Sequence, residues 1–247
     1  MPMNMKASPG AAQDGWEAAH DAAPEPVETE AKLRASMRAF RQIEGCEEIA
    51  GWRVAARRDV RLRDTYWDTI DDRLLRAGCT LRVREIDGAP DAELTFKGPA
   101  GTRSAVGGSQ ARLELTAEAS AGSGPDRWAA SDAARPVVDA LRQVAGDEAL
   151  RPAVVLLNPR REIALRRGAS EVILSLDEVG IEGQPYRRRY VEIELKRGSR
   201  DELDTLAAAA QRAFGLRPAE RGKVQAAREW LAERGLGTKN EERRTKN

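Results

Sequence analysis

The stretch VETEAK, Val27 to Lys32, alternates uncharged residues with Glu28, Glu30 and Lys32. In a strand, successive side chains point to opposite faces, so the three charges share one face while Val27, Thr29 and Ala31 share the other. A lone strand of this kind is ordinarily half-buried, with its charged side in water. Near the other end of the chain, YVEIELK, Tyr190 to Lys196, repeats the pattern, setting Glu192, Glu194 and Lys196 against Val191, Ile193 and Leu195. Two matched ionic faces raise the question of where they point.

The intervening sequence supplies more of the same. VRLRDTYWDT places Leu62, Asp64, Tyr66 and Asp68 at period two; after a turn at Gly78, Arg82 and Arg84 oppose Leu81 and Val83. AELTFKG sets Glu93, Thr95 and Lys97 against Leu94 and Phe96, and ARLELTAEA sets Arg112, Glu114 and Thr116 against Leu113 and Leu115. PAVVLLNPRREIALRRG and EVILSLDEVGI read as two strands joined at Gly168, the second with Glu171, Ser175 and Asp177 opposite Val172, Leu174 and Leu176. About eight antiparallel strands can close into a barrel without a free edge, which gives an α+β class with flanking helices.

Three helices are expected. Residues 35–45 carry Met37, Phe40 and Ile43 near helical spacing and can end at Gly45. Residues 130–145 hold Pro136 in an early turn, with Val137, Val138, Leu141 and Val144 on the buried side; the Gly/Ser linker Ala119 to Asp126 precedes them. Residues 200–214 open on Ser199 and Glu202 in capping-box spacing and close at Gly215. These helices need apolar surface to cover. If they cover the outside of the barrel, the ionic faces line its interior. A dry interior with so many charges would be prohibitively costly, so the lumen is expected to be wet and occupied. Carboxylates on the first and last strands suit a divalent cation, and the arginines and lysines between them suit a polyanion.

Composition narrows the classes. The 247 residues allow one large barrel domain or two small ones. With 41 basic and 40 acidic residues the formal charge is +1, unlike the basic excess of a nucleic-acid binder. Cys46 and Cys79 lack metal-site or disulfide-framework spacing. No apolar run reaches the length of a membrane span, and the N-terminus lacks the apolar stretch of a signal peptide. A soluble cytoplasmic protein without nucleic-acid or membrane partners is expected. The single histidine, His20, lies in an Ala/Pro/Glu-rich leader, residues 1–25, and does not suit catalysis. GPAGTRS from Gly98 and GLGTKN from Gly235 lack the spacing of a phosphate-binding P-loop. Residues 235–247 read as a charged flexible tail, leaving 26–234 as the domain. Tyr66 and Trp67 read as core packing, and Arg187 to Arg189 as a solvated hairpin edge.

VETEAK resembles the ExExK signature of CYTH domains, the triphosphate tunnel metalloenzymes, and YWDT, LRVR, TFKG, RLEL, LSLDEVG and EIELK follow in that family's order. LKRGSRDELDTLA and PAERGKVQAA look most like the bacterial inorganic triphosphatase branch, here without its helical CHAD domain. The resemblance implies an eight-stranded tunnel that uses Mg²⁺ or Mn²⁺ to hydrolyse a triphosphate, most readily inorganic tripolyphosphate, in a monomer or homodimer. It implies metal binding by Glu28, Glu30, Glu192 and Glu194, helped by Glu114 and Asp177. Phosphates would be gripped by Lys32, Arg82, Arg84, Lys97, Arg112 and Arg160, with Lys196 and Lys223. Lys32 is the candidate catalytic base, although two adjacent carboxylates favour its charged form, which leaves water activation to a metal. NPRRE leaves open whether Arg160 or Arg161 faces inward. Thr116 stands where the family often has an acid. Thiamine triphosphate hydrolysis, a class IV-type adenylate cyclase and a non-catalytic polyphosphate-binding module are the alternatives.

Overall fold

The computed structural model describes residues 27–236; His20, the leader and nearly all of the charged tail lie outside them. The alternating segments form β1 (Val27–Arg34), β3 (Trp52–Thr69), β4 (Thr80–Ile86), β5 (Asp91–Lys97), β6 (Ser109–Ser120), β7 (Leu150–Arg167), β8 (Ser170–Ile181) and β9 (Arg187–Arg197). Hydrogen bonding runs in the order β1-β6-β5-β4-β3-β7-β8-β9, and β9 returns to β1, so eight strands close an antiparallel barrel. Two short strands are accessories: β2 (Glu48–Ile49) pairs with β3, and β10 (Arg217–Pro218) pairs with the end of β1.

The apolar strand faces point outward, and helices cover them. Along β1, β8 and β9, Leu33, Leu174, Val191 and Ile193 pack against α1 (Met37–Glu44) and α5 (Arg200–Phe214), burying Phe40, Ile43, Leu203 and Leu206. Each fully buried side chain of this size contributes about 1.5–3 kcal/mol. On the other flank, Leu81, Val83, Leu94 and Phe96 bury Leu74 of α2 (Arg73–Arg76), Trp128 of α3 (Pro125–Ala129), and Val137 and Leu141 of α4 (Arg135–Ala145). Local sequence sets the helix limits. Ser36 caps α1 by accepting from the Ala39 amide, and Ser199 with Glu202 forms the full capping box of α5, which ends at Gly215 with φ of 65°.

The structure corrects several sequence readings. The helix expected over 130–145 is confined to α4, with a turn before Arg135, and a separate helix, α3, starts at Pro125 inside the supposed linker. Met37 starts α1 but is half-exposed, since only Ala39, Phe40 and Ile43 face the strands. β3 begins at Trp52, well before the segment that alternates visibly, because it pairs with β7 along its whole length. A helix that periodicity did not single out, α6 (Lys223–Glu233), lies across one end of the barrel and buries Val224, Ala227 and Leu231 against Tyr66, Leu156, Val179 and Tyr190.

Candidate functional site

Because the helices occupy the outside, the charged rows meet inside the barrel. Lys32 Nζ lies 2.9 Å from both Glu30 Oε1 and Glu192 Oε1. Lys97 Nζ reaches Glu28 at 2.5 Å and Glu114 at 3.0 Å, and Arg112 flanks Glu28 at 3.5 Å and Glu30 at 3.8 Å. Arg160 donates to Asp177 through Nε (2.6 Å) and Nη2 (3.0 Å), and to Glu192 at 2.9 Å. Lys223, at the start of α6, contacts the same two carboxylates at 2.5 and 2.6 Å. Arg84 holds Asp64 with two hydrogen bonds, 2.7 and 2.8 Å, and Arg82 reaches Glu93 at 2.7 Å and Thr95 at 3.0 Å. Lys196 pairs with Glu194 at 2.5 Å near the opposite end, where it is a third exposed.

Register explains these pairs. Lys32 faces Glu192 across β1–β9, Lys97 faces Glu114 across β5–β6, Asp64 faces Arg84 across β3–β4, and Arg160 faces Asp177 across β7–β8. Opposite charges directly across a ladder are the favourable arrangement. Arg160 points inward. Arg161 points outward to Asp59 at 2.7 Å and Glu44 at 3.4 Å.

Interior residues that escaped the sequence reading as site residues include Asp64, Glu93, Arg58, Glu162 and Asn158, which donates to Asp177 at 2.8 Å. Asp64 and Glu93 sit on the correct strand face, and parity with Arg160 identifies Glu162. Arg58 pairs with Glu162 at 2.6 Å from the part of β3 whose alternation is hidden by consecutive charged residues.

The paired environment fixes protonation. Burial alone would raise the Glu28 carboxyl, but Lys97 and Arg112 hold it well below the usual range. Glu192 is likewise held down, against burial, by Lys223, Lys32 and Arg160. Burial, with repulsion from Glu28, pushes Glu114 up to about 7 despite Lys97. Glu194 is raised by burial and by Glu28, against the pull of Lys196. Burial would lower the Lys32 ammonium, yet Glu192 and Glu30 raise it, which favours its charged form. Lys223 is lowered, chiefly by burial, with Arg160 and Lys32 adding to the effect.

Asp68, the acid of YWDT, serves the scaffold. Its Oδ1 accepts from the Thr69 and Leu74 amides and its Oδ2 from Leu75, which fixes α2, while Arg228 of α6 donates to Asp68 at 3.0 Å and to Asp72 at 2.6 Å. This tie holds α6 where Lys223 can enter the barrel. Beside α6 a cavity of about 860 Å³ opens onto the interior, with Glu30, Lys32 and Arg112 at its base.

Among the described residues no three carboxylates converge into a ready-made metal cage. The donor set nevertheless fits a hard divalent cation. Lys97 Nζ contacts both Glu28 and Glu114, and Glu30 faces Glu194 across β1–β9, so the acids of these strands line one stretch of the lumen and offer the oxygen ligands that Mg²⁺ or Mn²⁺ takes.

The comparisons agree with this geometry. The barrel resembles an adenylate cyclase candidate from Bacillus halodurans, with TM-score 0.56 and 20% identity over 82% of this chain and 98% of that one. It also resembles the PH1819 protein of Pyrococcus horikoshii, with TM-score 0.52 and 20% identity over 82% and 99%. A Hippeastrum protein described as an adenylyl cyclase candidate with a dominant triphosphatase activity gives TM-score 0.56 and 17% identity over 82% and 96%. At these identities the likeness establishes the fold alone. No curated protein matches. The CYTH domain model matches residues 27–227, the whole barrel and the start of the helix that enters it, and the chain therefore belongs to the CYTH domain family.

Proposed function

We propose that this protein is a divalent-metal-dependent triphosphatase that converts inorganic tripolyphosphate to diphosphate and phosphate. The observation that carries this reading is the pairing of interior cations with carboxylates, as in Lys32 with Glu30 and Glu192, and Arg160 with Asp177 and Glu192. A polyanion entering such a lumen must draw lysines and arginines away from their partners. The carboxylates released then need cations of their own. Entry of a polyphosphate together with divalent metal satisfies both sets, whereas either alone leaves buried charge unmatched.

In this reading Lys32, Arg82, Arg84, Lys97, Arg112, Arg160, Lys196 and Lys223 hold phosphate oxygens and neutralise the charge that develops on them. Glu28, Glu30, Glu114, Asp177, Glu192 and Glu194 are the metal-side donors. Bound metal supplies Lewis-acid polarisation and a water of lowered pKa. No side-chain nucleophile is needed for this chemistry, and the nearby thiol is a poor one: Cys79 is buried, and burial raises its pKa. Lys32, held charged, stabilises phosphate rather than accepting a proton. The Hippeastrum relative's described triphosphatase activity supports hydrolysis, and its adenylyl cyclase name supplies the competing reaction.

The test is release of phosphate, or of cyclic nucleotide, from tripolyphosphate, ATP and thiamine triphosphate with Mg²⁺ or Mn²⁺. Preferred, metal-dependent tripolyphosphate hydrolysis is expected. Tight tripolyphosphate binding without turnover of any substrate would instead identify a non-catalytic polyphosphate-binding module.

A further inference from the structure

We infer that the cavity beside α6 is a subsite for the fourth and later phosphates of linear polyphosphates, so that the protein acts on chains longer than tripolyphosphate. This rests on the triphosphatase reading and extends it. The cavity shares Glu30, Lys32 and Arg112 with the lumen, so a chain lying in the barrel can continue into it without a break. Its volume, about 860 Å³, is in the range that accommodates a drug-sized ligand, far more than the end of a triphosphate requires.

Lysines and arginines outnumber acids among the residues that line the cavity, and although most are paired, as Arg221 is with Glu229 and Arg228 with Asp68 and Asp72, the wall keeps a basic excess. Arg103 extends from the loop between β5 and β6 into this wall and donates to the Ala219 carbonyl at 2.8 Å, without a carboxylate partner among the described residues. At the base, Arg112 Nε makes no hydrogen bond and meets Glu28 only as an ion pair at 3.5 Å. A local cationic excess in a concave mouth concentrates anions there. No aromatic ring is among the described residues that line it, so a nucleoside base finds no stacking platform. Anionic recognition without stacking fits a continuing phosphate chain better than a nucleoside.

The experiment compares kcat/KM for tripolyphosphate, tetrapolyphosphate, a long linear polyphosphate and ATP, in the full-length protein and in Arg103→Ala and Arg103→Gln. Wild type should prefer tetrapolyphosphate over tripolyphosphate roughly tenfold, the worth of one added charge-assisted contact. Both variants should bring that ratio close to unity while keeping tripolyphosphate turnover and melting temperature. A wild-type ratio near unity, or a ratio unchanged in both variants, would overturn the subsite, and preferential use of ATP would reassign the cavity to a nucleoside. Absence of turnover on every substrate would instead defeat the triphosphatase reading. Calorimetry with tetrapolyphosphate and tripolyphosphate then still decides the subsite: tighter, Arg103-dependent binding of the longer chain supports it, and equal binding refutes it.

Discussion

Asp64→Asn should weaken the fold and strengthen anion binding at once. Asp64 is 2% exposed, receives two hydrogen bonds from Arg84, and is held well below the usual carboxylate range, against burial, by Arg84 and Arg82. The substitution keeps the shape and removes the charge. Arg84 is then a buried cation without its counterion, a change that costs about 3–5 kcal/mol when one partner of a buried pair is lost. For a chain of this size that corresponds to a fall in melting temperature of roughly 6–20 °C.

Binding should move the other way. In the unsubstituted protein, the Asp64 carboxylate competes with any phosphate for the same guanidinium. Releasing Arg84 makes available a charge-assisted contact of about 1.5–3 kcal/mol, or roughly 10- to 150-fold in affinity. Calorimetric titration with tripolyphosphate and thermal melts with and without it measure both effects, and saturating ligand should recover much of the lost melting temperature. Unchanged or weaker tripolyphosphate binding in a folded Asp64→Asn protein would show that Arg84 does not meet the phosphate chain.

Glu28→Gln and Glu30→Gln should each abolish metal-dependent turnover with the fold intact; phosphate release equal to wild type in both would remove these residues from the metal site. Arg160→Ala should weaken tripolyphosphate binding at least tenfold, whereas Arg161→Ala, whose partners Asp59 and Glu44 lie on the outer surface, should leave it unchanged by calorimetry. Glu114 has a folded pKa near 7 against an ordinary 4.5, so the metal-free native state binds the extra proton between those values. That contribution to stability is complete below about pH 4.5 and is lost as pH rises through 7. Glu114→Gln should flatten the melting-temperature profile over that window, and an unaltered slope would contradict the shift. Arg228→Ala should loosen α6 and lower activity through Lys223, and a double-mutant cycle with Lys223→Met that shows full additivity would rule out this coupling.

The barrel was legible because its two faces differ so sharply in chemistry. Glu28, Glu30 and Lys32, or Glu192, Glu194 and Lys196, announce a strand with one ionic side, and the helices left only one place for that side to point. Register was less legible. NPRRE gives two equivalent arginines, and only pairing with β8 sets Arg160 opposite Asp177. The beginning of β3 was hidden for a related reason: Arg57, Arg58 and Asp59 are charged on both faces, since Arg57 and Asp59 pair outside the barrel with Glu47 and Arg161 while Arg58 turns inward to Glu162. The short polar helix α6 escaped because its buried stripe is interrupted by Lys223 and Arg228. Those are the residues that connect it to Asp177, Glu192, Asp68 and Asp72.

The inverted arrangement also separates stability from function. A barrel with an apolar interior would commit its core to the lumen, but here the apolar clusters lie between the outer strand faces and the helices. Buried ion pairs add little net stability, because desolvation offsets much of their attraction. The outer layers must therefore supply most of the folding free energy, and in the proposed function the interior pairs exchange for substrate and metal contacts without dismantling the fold. The exchange is easiest where the carboxylates are only partly buried, 19% exposed at Glu114 and 31% at Glu194, and hardest where the acid is sealed, as at Asp177, which is 0% exposed and receives hydrogen bonds from Asn158, Arg160 and Lys223. Asp177 is in this sense the fixed anchor of the lumen. The carboxylates around Glu28 form its adjustable part, and divalent metal should enter on their side first.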